Sequence, residues 1–259
     1  MSSLYFPAVS GIRAQQQRLD IIANNLANSN TTGYKAARAE FAALPPQDIR
    51  VARAGATALG QVDLGSGVVL NGTSRQFTQG PVQVTGNLLD LAILGSDGFF
   101  QVTTPEGITA YVRSGTLSVD GAGRLTLSDG SLLTPPIVIP AGVRVNHVDE
   151  RGVIYGLPAG ATEPQPLGQI VLARFPNPNG LLAIGNNRFV ATPAAGAPEL
   201  GVPATDGWPA IASGMLEASN VDLADQMVQM IEAQRAYSAN ARALETLDEM
   251  LGLAIRTRS

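Results

Sequence analysis

Residues 219–256 read SNVDLADQMVQMIEAQRAYSANARALETLDEMLGLAIR, and this stretch decides the architecture of the chain. Read in sevens, it places Leu223, Met230, Tyr237, Leu244 and Leu251 on one line, with Met227 and Ala241 at the half-steps. That spacing predicts the apolar seam of a helix packed lengthwise against another helix. Ser219 or Asn220 is placed to cap its start, and Asp222 and Asp225 suit its positive first turn. Arg256 and Arg258 suit its negative end. No proline interrupts the stretch, and its only glycine is Gly252. As a helix it spans roughly 50 Å. Gln234 and Asp248 fall in line with Met227 and Ala241, where polar residues weaken a simple pair but help fix its register. Such a helix needs a partner.

The matching pattern lies at the opposite end. Tyr5, Ile12, Leu19 and Leu26 recur every seven residues, with Val9 and Ala23 between them and Gln16 breaking the second row. Pro7 sits in the first turn, where proline is tolerated. Two matching seams predict that the terminal helices pair with each other as a coiled coil. The alternative is two separate amphipathic helices, each lying on a globular core. The N-terminal helix runs into residues 23–35, ANNLANSNTTGYK. Asn24, Asn25, Asn28 and Asn30 favour side-chain bonds to nearby backbone over helix continuation. Gly33 permits a positive φ, so the stretch predicts a helix stop and a sharp turn into extended chain.

Between the helices the pattern changes twice. Residues 42–80 carry little charge, open on Pro45-Pro46 and repeat glycine at 55, 60, 65 and 67. Val62, Leu64, Val68 and Leu70 alternate around Gly65 and Gly67, which predicts a strand pair or an ordered extended arm. From about residue 82 to 205, short β-prone runs are separated by turns at Asp97-Gly98, Pro105-Glu106-Gly107, residues 120–123 and Asp129-Gly130. These are hairpin signals. Residues 169–175 read as one strand, and residues 193–209 as a return loop. The expected fold class is α+β: terminal helices around an inserted, mainly antiparallel β domain. The expected divisions are 1–30 with 215–259 for the helices, 31–81 for the arm and 82–214 for the β domain.

Composition narrows the function. The chain has 259 residues, a net charge of −4, 15% charged residues and no cysteine. No basic block is available to neutralise phosphates, so nucleic acid is not an expected partner. Disulfide and thiolate chemistry are excluded. No apolar run of about 18 residues occurs, so no transmembrane segment is expected. The N-terminus has no basic region followed by an apolar run, so no cleavable signal peptide is expected either.

Catalytic signals are equally scarce. The only histidine is His147, beside Val148, Asp149 and Glu150, and its ordinary reading is a surface residue at a strand end. Asp120, Asp129 and Asp149 could act as acid and base, yet turns of this kind use Asp anyway. Tyr237 reads as a packing residue. No phosphate-binding loop or zinc-binding helix motif is present. No enzyme activity, cofactor or metal is expected.

Three motifs carry a resemblance. Residues 23–35, Gly98-Phe99-Phe100-Gln101-Val102 with Tyr111-Val112-Arg113-Ser114-Gly115, and Ser219-Asn220-Val221-Asp222 followed by Met230-Ile231 and residues 234–237 resemble the flagellar basal-body rod and hook protein family. They occur in that family's order. In length the chain resembles the distal-rod member, or its close relative among the proximal-rod proteins. The resemblance implies a structural subunit of an axial tube that transmits torque from motor to hook and encloses an export channel. It implies terminal helices lining the inside and the β domain outside. It also implies partners: further copies in a helical homopolymer, other rod and hook proteins, and the type III export apparatus. The implied place is the basal body, reached by export across the cytoplasmic membrane to the periplasm or cell-wall zone. The assembly and packing residues are then Tyr5, Ile12, Leu19, Leu26, Asn24, Asn25, Gly33, Leu223, Met227, Met230, Tyr237, Leu244 and Leu251. A competing expectation is a secreted β-rich scaffold or binding protein that dimerises through its terminal helices.

Overall fold

The computed structural model describes residues 5–45, 47–51 and 60–256; side chains are described outside residues 47–51 and 60–64, Leu251 and Ala254. The expectations resting on Gly55, Arg258 and the Leu251 side chain lie outside these. The chain divides into two compact units. One holds residues 1–27, 37–74 and 222–259, and the other holds 28–36 and 75–221.

The first unit contains α1 (Phe6–Ala27), β1 (Ala37–Ala43), β2 (Gln47–Val51), β3 (Gly60–Leu64), β4 (Val68–Arg75) and α2 (Leu223–Arg256). The helix α2 has 34 residues, about 50 Å at the usual rise. Its cap is Asp222, whose Oδ1 accepts from the backbone N–H groups of Ala224 (2.8 Å) and Asp225 (3.2 Å). Asn220, one of the two expected caps, is engaged elsewhere. The strands form two ladders, β1 with β4 and β2 with β3. The alternation through Val62, Leu64, Val68 and Leu70 therefore does not mark a pair. β3 and β4 are successive pieces of one leg of a long hairpin, and the Leu44 N–H donates to Gly67 O at 3.0 Å where the two ladders meet.

The second unit is built of β5 (Val82–Val84), β6 (Leu91–Leu94), β7 (Phe99–Thr103), β8 (Thr109–Val112), β9 (Leu117–Val119), β10 (Leu125–Leu127), β11 (Leu132–Leu133), β12 (Val143–Val148), β13 (Val153–Pro158), β14 (Gln165–Gln169), β15 (Leu172–Arg174), β16 (Leu182–Gly185), β17 (Arg188–Val190), β18 (Glu199–Gly201), β19 (Ala210–Ser213) and β20 (Met215–Glu217). A nine-stranded sheet runs β16-β17-β8-β7-β11-β10-β9, with β15 also on β7 and β18 on β15. β12, β13 and β14 form a meander, while β19 pairs with β6 and β20 with β5, all antiparallel.

The pleat explains why the sequence around β7 and β8 is almost continuously apolar. Phe99 and Tyr111 point into one cluster with Phe175, Leu181 and Phe189. Phe100, Val102, Ala110 and Val112 point into the larger cluster with Leu91, Ile93, Leu133 and Ile154. Successive side chains leave a strand on opposite faces, and here both faces are covered.

Three strand expectations change. Asp97-Gly98 does not close a hairpin, because β6 takes β19 as partner and β7 takes β8. Residues 169–175 are two strands, broken where the Ile170 N–H donates to Gly152 O. The return loop also contains β18, which extends the sheet through β15.

Candidate assembly site

In the first unit, α1 and α2 pack antiparallel. Tyr5 Oη donates to Asp248 Oδ1 at 3.4 Å, Arg18 meets Glu232 at 3.5 Å, and Asn25 Nδ2 donates to Gln226 Oε1 at 3.0 Å. Between the first two contacts, a Cβ on Gly11 would lie 2.7 Å from Asn240 Nδ2, so glycine allows the close approach there. The α2 row at this contact is Gln226, Ala233, Asn240 and Leu247, spaced by seven, and Ala233 has no exposed surface. On α1 the buried residues are Ala14, Ile22 and Asn25. Small and polar side chains thus occupy the closest approach, which hydropathy alone does not highlight.

Asn25 is the polar centre of that contact. Besides Gln226, its Nδ2 donates to Ala37 O at 2.8 Å, and its Oδ1 accepts from the Ala37 N–H at 2.9 Å. One amide therefore clamps the chain on its return from the turn. In the second unit Asn220 does the same for the neighbouring residues. Its Oδ1 accepts from the Ala36 N–H at 2.7 Å, and its Nδ2 donates to Gln76 O (2.7 Å) and Thr78 Oγ1 (3.0 Å). Gly33 has φ +66, and a Cβ there would lie 2.6 Å from Ser114 N. Only glycine meets both conditions at once.

The densest polar cluster is around Glu217 in the second unit. Oε1 accepts from Lys35 Nζ at 2.6 Å and from the Gly80 N–H at 2.8 Å. Oε2 accepts from Arg113 Nε at 3.0 Å. The Arg113 guanidinium also donates to Gly98 O at 2.7 Å and Gly95 O at 2.6 Å, and Lys35 Nζ to Thr78 O at 2.7 Å. All three charged side chains are buried. Two cations thus share one carboxylate. Burial holds the Lys35 pKa below the usual lysine range, the Arg113 charge adds to this, and Glu217 opposes it. In the sequence Lys35 and Arg113 stand out only as motif members, Asn220 as a motif member and an expected helix cap, and Glu217 not at all. The available signal was a lone Glu in a β-prone run just before the C-terminal motif.

The expected packing residues differ widely in burial. Asn25 and Gly33 are buried, while Tyr5, Ile12, Leu19, Leu26, Met230 and Leu244 are half-buried. Leu223, Met227 and Tyr237 are exposed, at 48%, 56% and 38%, and Asn24 is exposed as well. The helix α2 is therefore turned so that the row through Ala233 meets α1, and part of the expected apolar line faces outward.

The acid and base candidates are turn residues. Asp120 Oδ1 accepts from the N–H groups of Ala122 and Arg124, both at 2.8 Å, and Asp149 Oδ1 from the Val153 N–H at 2.7 Å. The backbone N–H of Arg124 is the main cause holding the Asp120 carboxyl below its ordinary range. His147 is exposed and stacks on Tyr155 with ring centroids 4.4 Å apart. This arrangement suits holding chain segments together rather than transforming a substrate. Among the described residues, no helix is long and apolar enough to cross a membrane.

Residues 7–35 match the model for flagella basal body rod proteins, 92–156 the D1 domain of flagellar hook proteins FlgE/F/G, and 212–257 the C-terminal model of flagellar basal body rod FlgEFG proteins. The chain is 42% identical to the flagellar basal-body rod protein FlgG of Borreliella burgdorferi, covering 98% of each chain. It is 38% identical to that of Caulobacter vibrioides, over 97% of this chain and 98% of the relative. The corresponding Bacillus subtilis protein is 36% identical, over 97% of each.

Proposed function

This chain belongs to the flagellar basal-body rod FlgG family and is a structural subunit of the rod rather than an enzyme; from that premise we propose how it assembles. α1 and α2 pair as a coiled coil, and repeated copies stack these pairs into an axial tube at the distal part of the rod. The tube transmits torque from motor to hook and leaves a channel for exported subunits. Its partners are further copies, the adjoining rod and hook proteins in the basal body, and the type III apparatus that exports it.

The supporting observation is the second apolar line on α2. Leu223, Met227 and Ile231 lie four residues apart and are 48%, 56% and 50% exposed. A helix apolar on the side away from its partner is covered by something else in its working state, and neighbouring subunits supply that cover at every repeat. Leu223, Met227 and Tyr237 are assembly residues in this reading, while the half-buried Met230 and Leu244 border the α1 contact.

Electron microscopy of concentrated protein separates the two readings. Tubes or short rods are expected, whereas discrete dimers would favour the scaffold alternative. Leu244→Asp places a charge in the half-buried border and should abolish polymer, since unpaired burial of charge recurs in every subunit. Glu245→Ala, at an exposed position, should assemble. Equal polymer yield from both would remove the helix pair from the assembly mechanism.

A further inference from the structure

The second unit is closed by its own sequence ends. The Gly33 N–H donates to Glu217 O at 2.8 Å, the Ala36 N–H to Asn220 Oδ1, and Lys35 to the Glu217 carboxylate. As strands, β5 pairs with β20 and β6 with β19, more than a hundred residues later. Much of the rest of the unit pairs locally, apart from β15 on β7 and β17 on β8, which join strands more than 70 residues apart. β7 with β8, β9 with β10, β10 with β11, β12 with β13, β13 with β14, and β16 with β17 all pair between neighbours in sequence. Closing short loops costs less entropy and happens sooner than closing long ones.

Charge strengthens the contrast. Among the described residues, the only ion pairs of Lys35 and Arg113 are to Glu217. Until Glu217 docks, burying either cation means burying it without a counter-ion, and the two repel each other. The ends of the unit therefore have an electrostatic reason to stay open while the hairpins form.

We propose that Glu217 is a last-closing latch: the β7–β8 region folds first, and residues 28–36 become buried only when residues 210–220 return. In the exported chain inferred above, the second unit would remain incomplete until Glu217 had passed the channel. That consequence rests on the export reading, whereas the folding order does not.

Pulse-labelled hydrogen exchange on the full chain, during refolding from denaturant at neutral pH, tests the order. The β7 and β8 amides should gain protection in an earlier phase than the Gly33 and Gly80 amides, which report the latch directly. Glu217→Gln should speed unfolding by at least about 100-fold. It should leave the refolding rate within about threefold, because a late contact is absent from the transition state. If Glu217→Gln does not fold, Lys35→Met/Glu217→Gln removes one stranded cation, and its rates are compared with those of Lys35→Met alone. Protection of Gly33 and Gly80 together with or before the hairpin overturns the proposal. So does refolding slowed as much as unfolding is accelerated.

Discussion

Lys35 and Glu217 stand 182 positions apart in sequence, yet Nζ and Oε1 lie 2.6 Å apart with both side chains wholly buried. The pair joins the chain's entry into the β-rich unit to its exit, and Arg113 binds the same carboxylate from within. A buried ion pair is weak evidence of net stabilisation, because desolvation offsets attraction. Its removal from one side is a different matter.

Glu217→Gln should cost about 3–5 kcal/mol, since it leaves two buried cations facing a neutral amide. Lys35→Met should cost clearly less, because Arg113 and Glu217 remain as a balanced pair. Trp208, the only tryptophan, packs against the main core of this unit and reports its unfolding. Denaturant titration by fluorescence would give the two costs, and the reverse order would contradict the charge count.

The shifted lysine also makes stability depend on pH. Lys35 is pushed below the usual lysine range, chiefly by burial, so the folded state binds this proton less tightly than the unfolded chain does. Stability should therefore rise with pH from the lowered folded value up to the unfolded value of about 10.4. Tyr111, raised by burial, acts in the opposite sense above about pH 10. Comparing the wild type with Lys35→Met below that point isolates the lysine. The wild type should show the steeper rise, and parallel curves would rule the linkage out.

Gly33→Ala should destabilise the β-rich unit by at least about 1–3 kcal/mol, the usual cost of a strained backbone. The added methyl also meets the Ser114 backbone, so relaxation requires the Arg113 segment to shift. Thermal unfolding followed at Trp208 should fall by several degrees, whereas Gly121→Ala in the same unit, where a Cβ has open space, should change little.

Asn25→Ala removes an amide that bonds both polar groups of Ala37 and Gln226 Oε1. Leaving those groups unsatisfied should cost the helical unit about 1–3 kcal/mol. Circular dichroism at the helix band should report the loss, and Trp208 fluorescence should hardly move. Loss of both signals together would mean that the clamp also supports the β-rich unit.

The two terminal helices were legible in the chain alone, because heptad spacing over many turns leaves little alternative, and so was the turn at Gly33, because few residues accept φ +66. Hairpins at residues 105–107, 120–123 and 129–130 were legible for the same reason: their signals and their partners are adjacent in the chain. Tertiary structure alone decided the rest. Which face of α2 meets α1 depends on Gly11, Ala233, Asn25 and Gln226, whose value lies in close approach and hydrogen bonding rather than in hydropathy. The partners of β6 and β5, and the convergence of Lys35, Arg113 and Glu217, join segments more than a hundred residues apart. Long-range pairing is settled by the collective burial of a core and the neutralisation of charge inside it, and no local stretch of sequence contains that information.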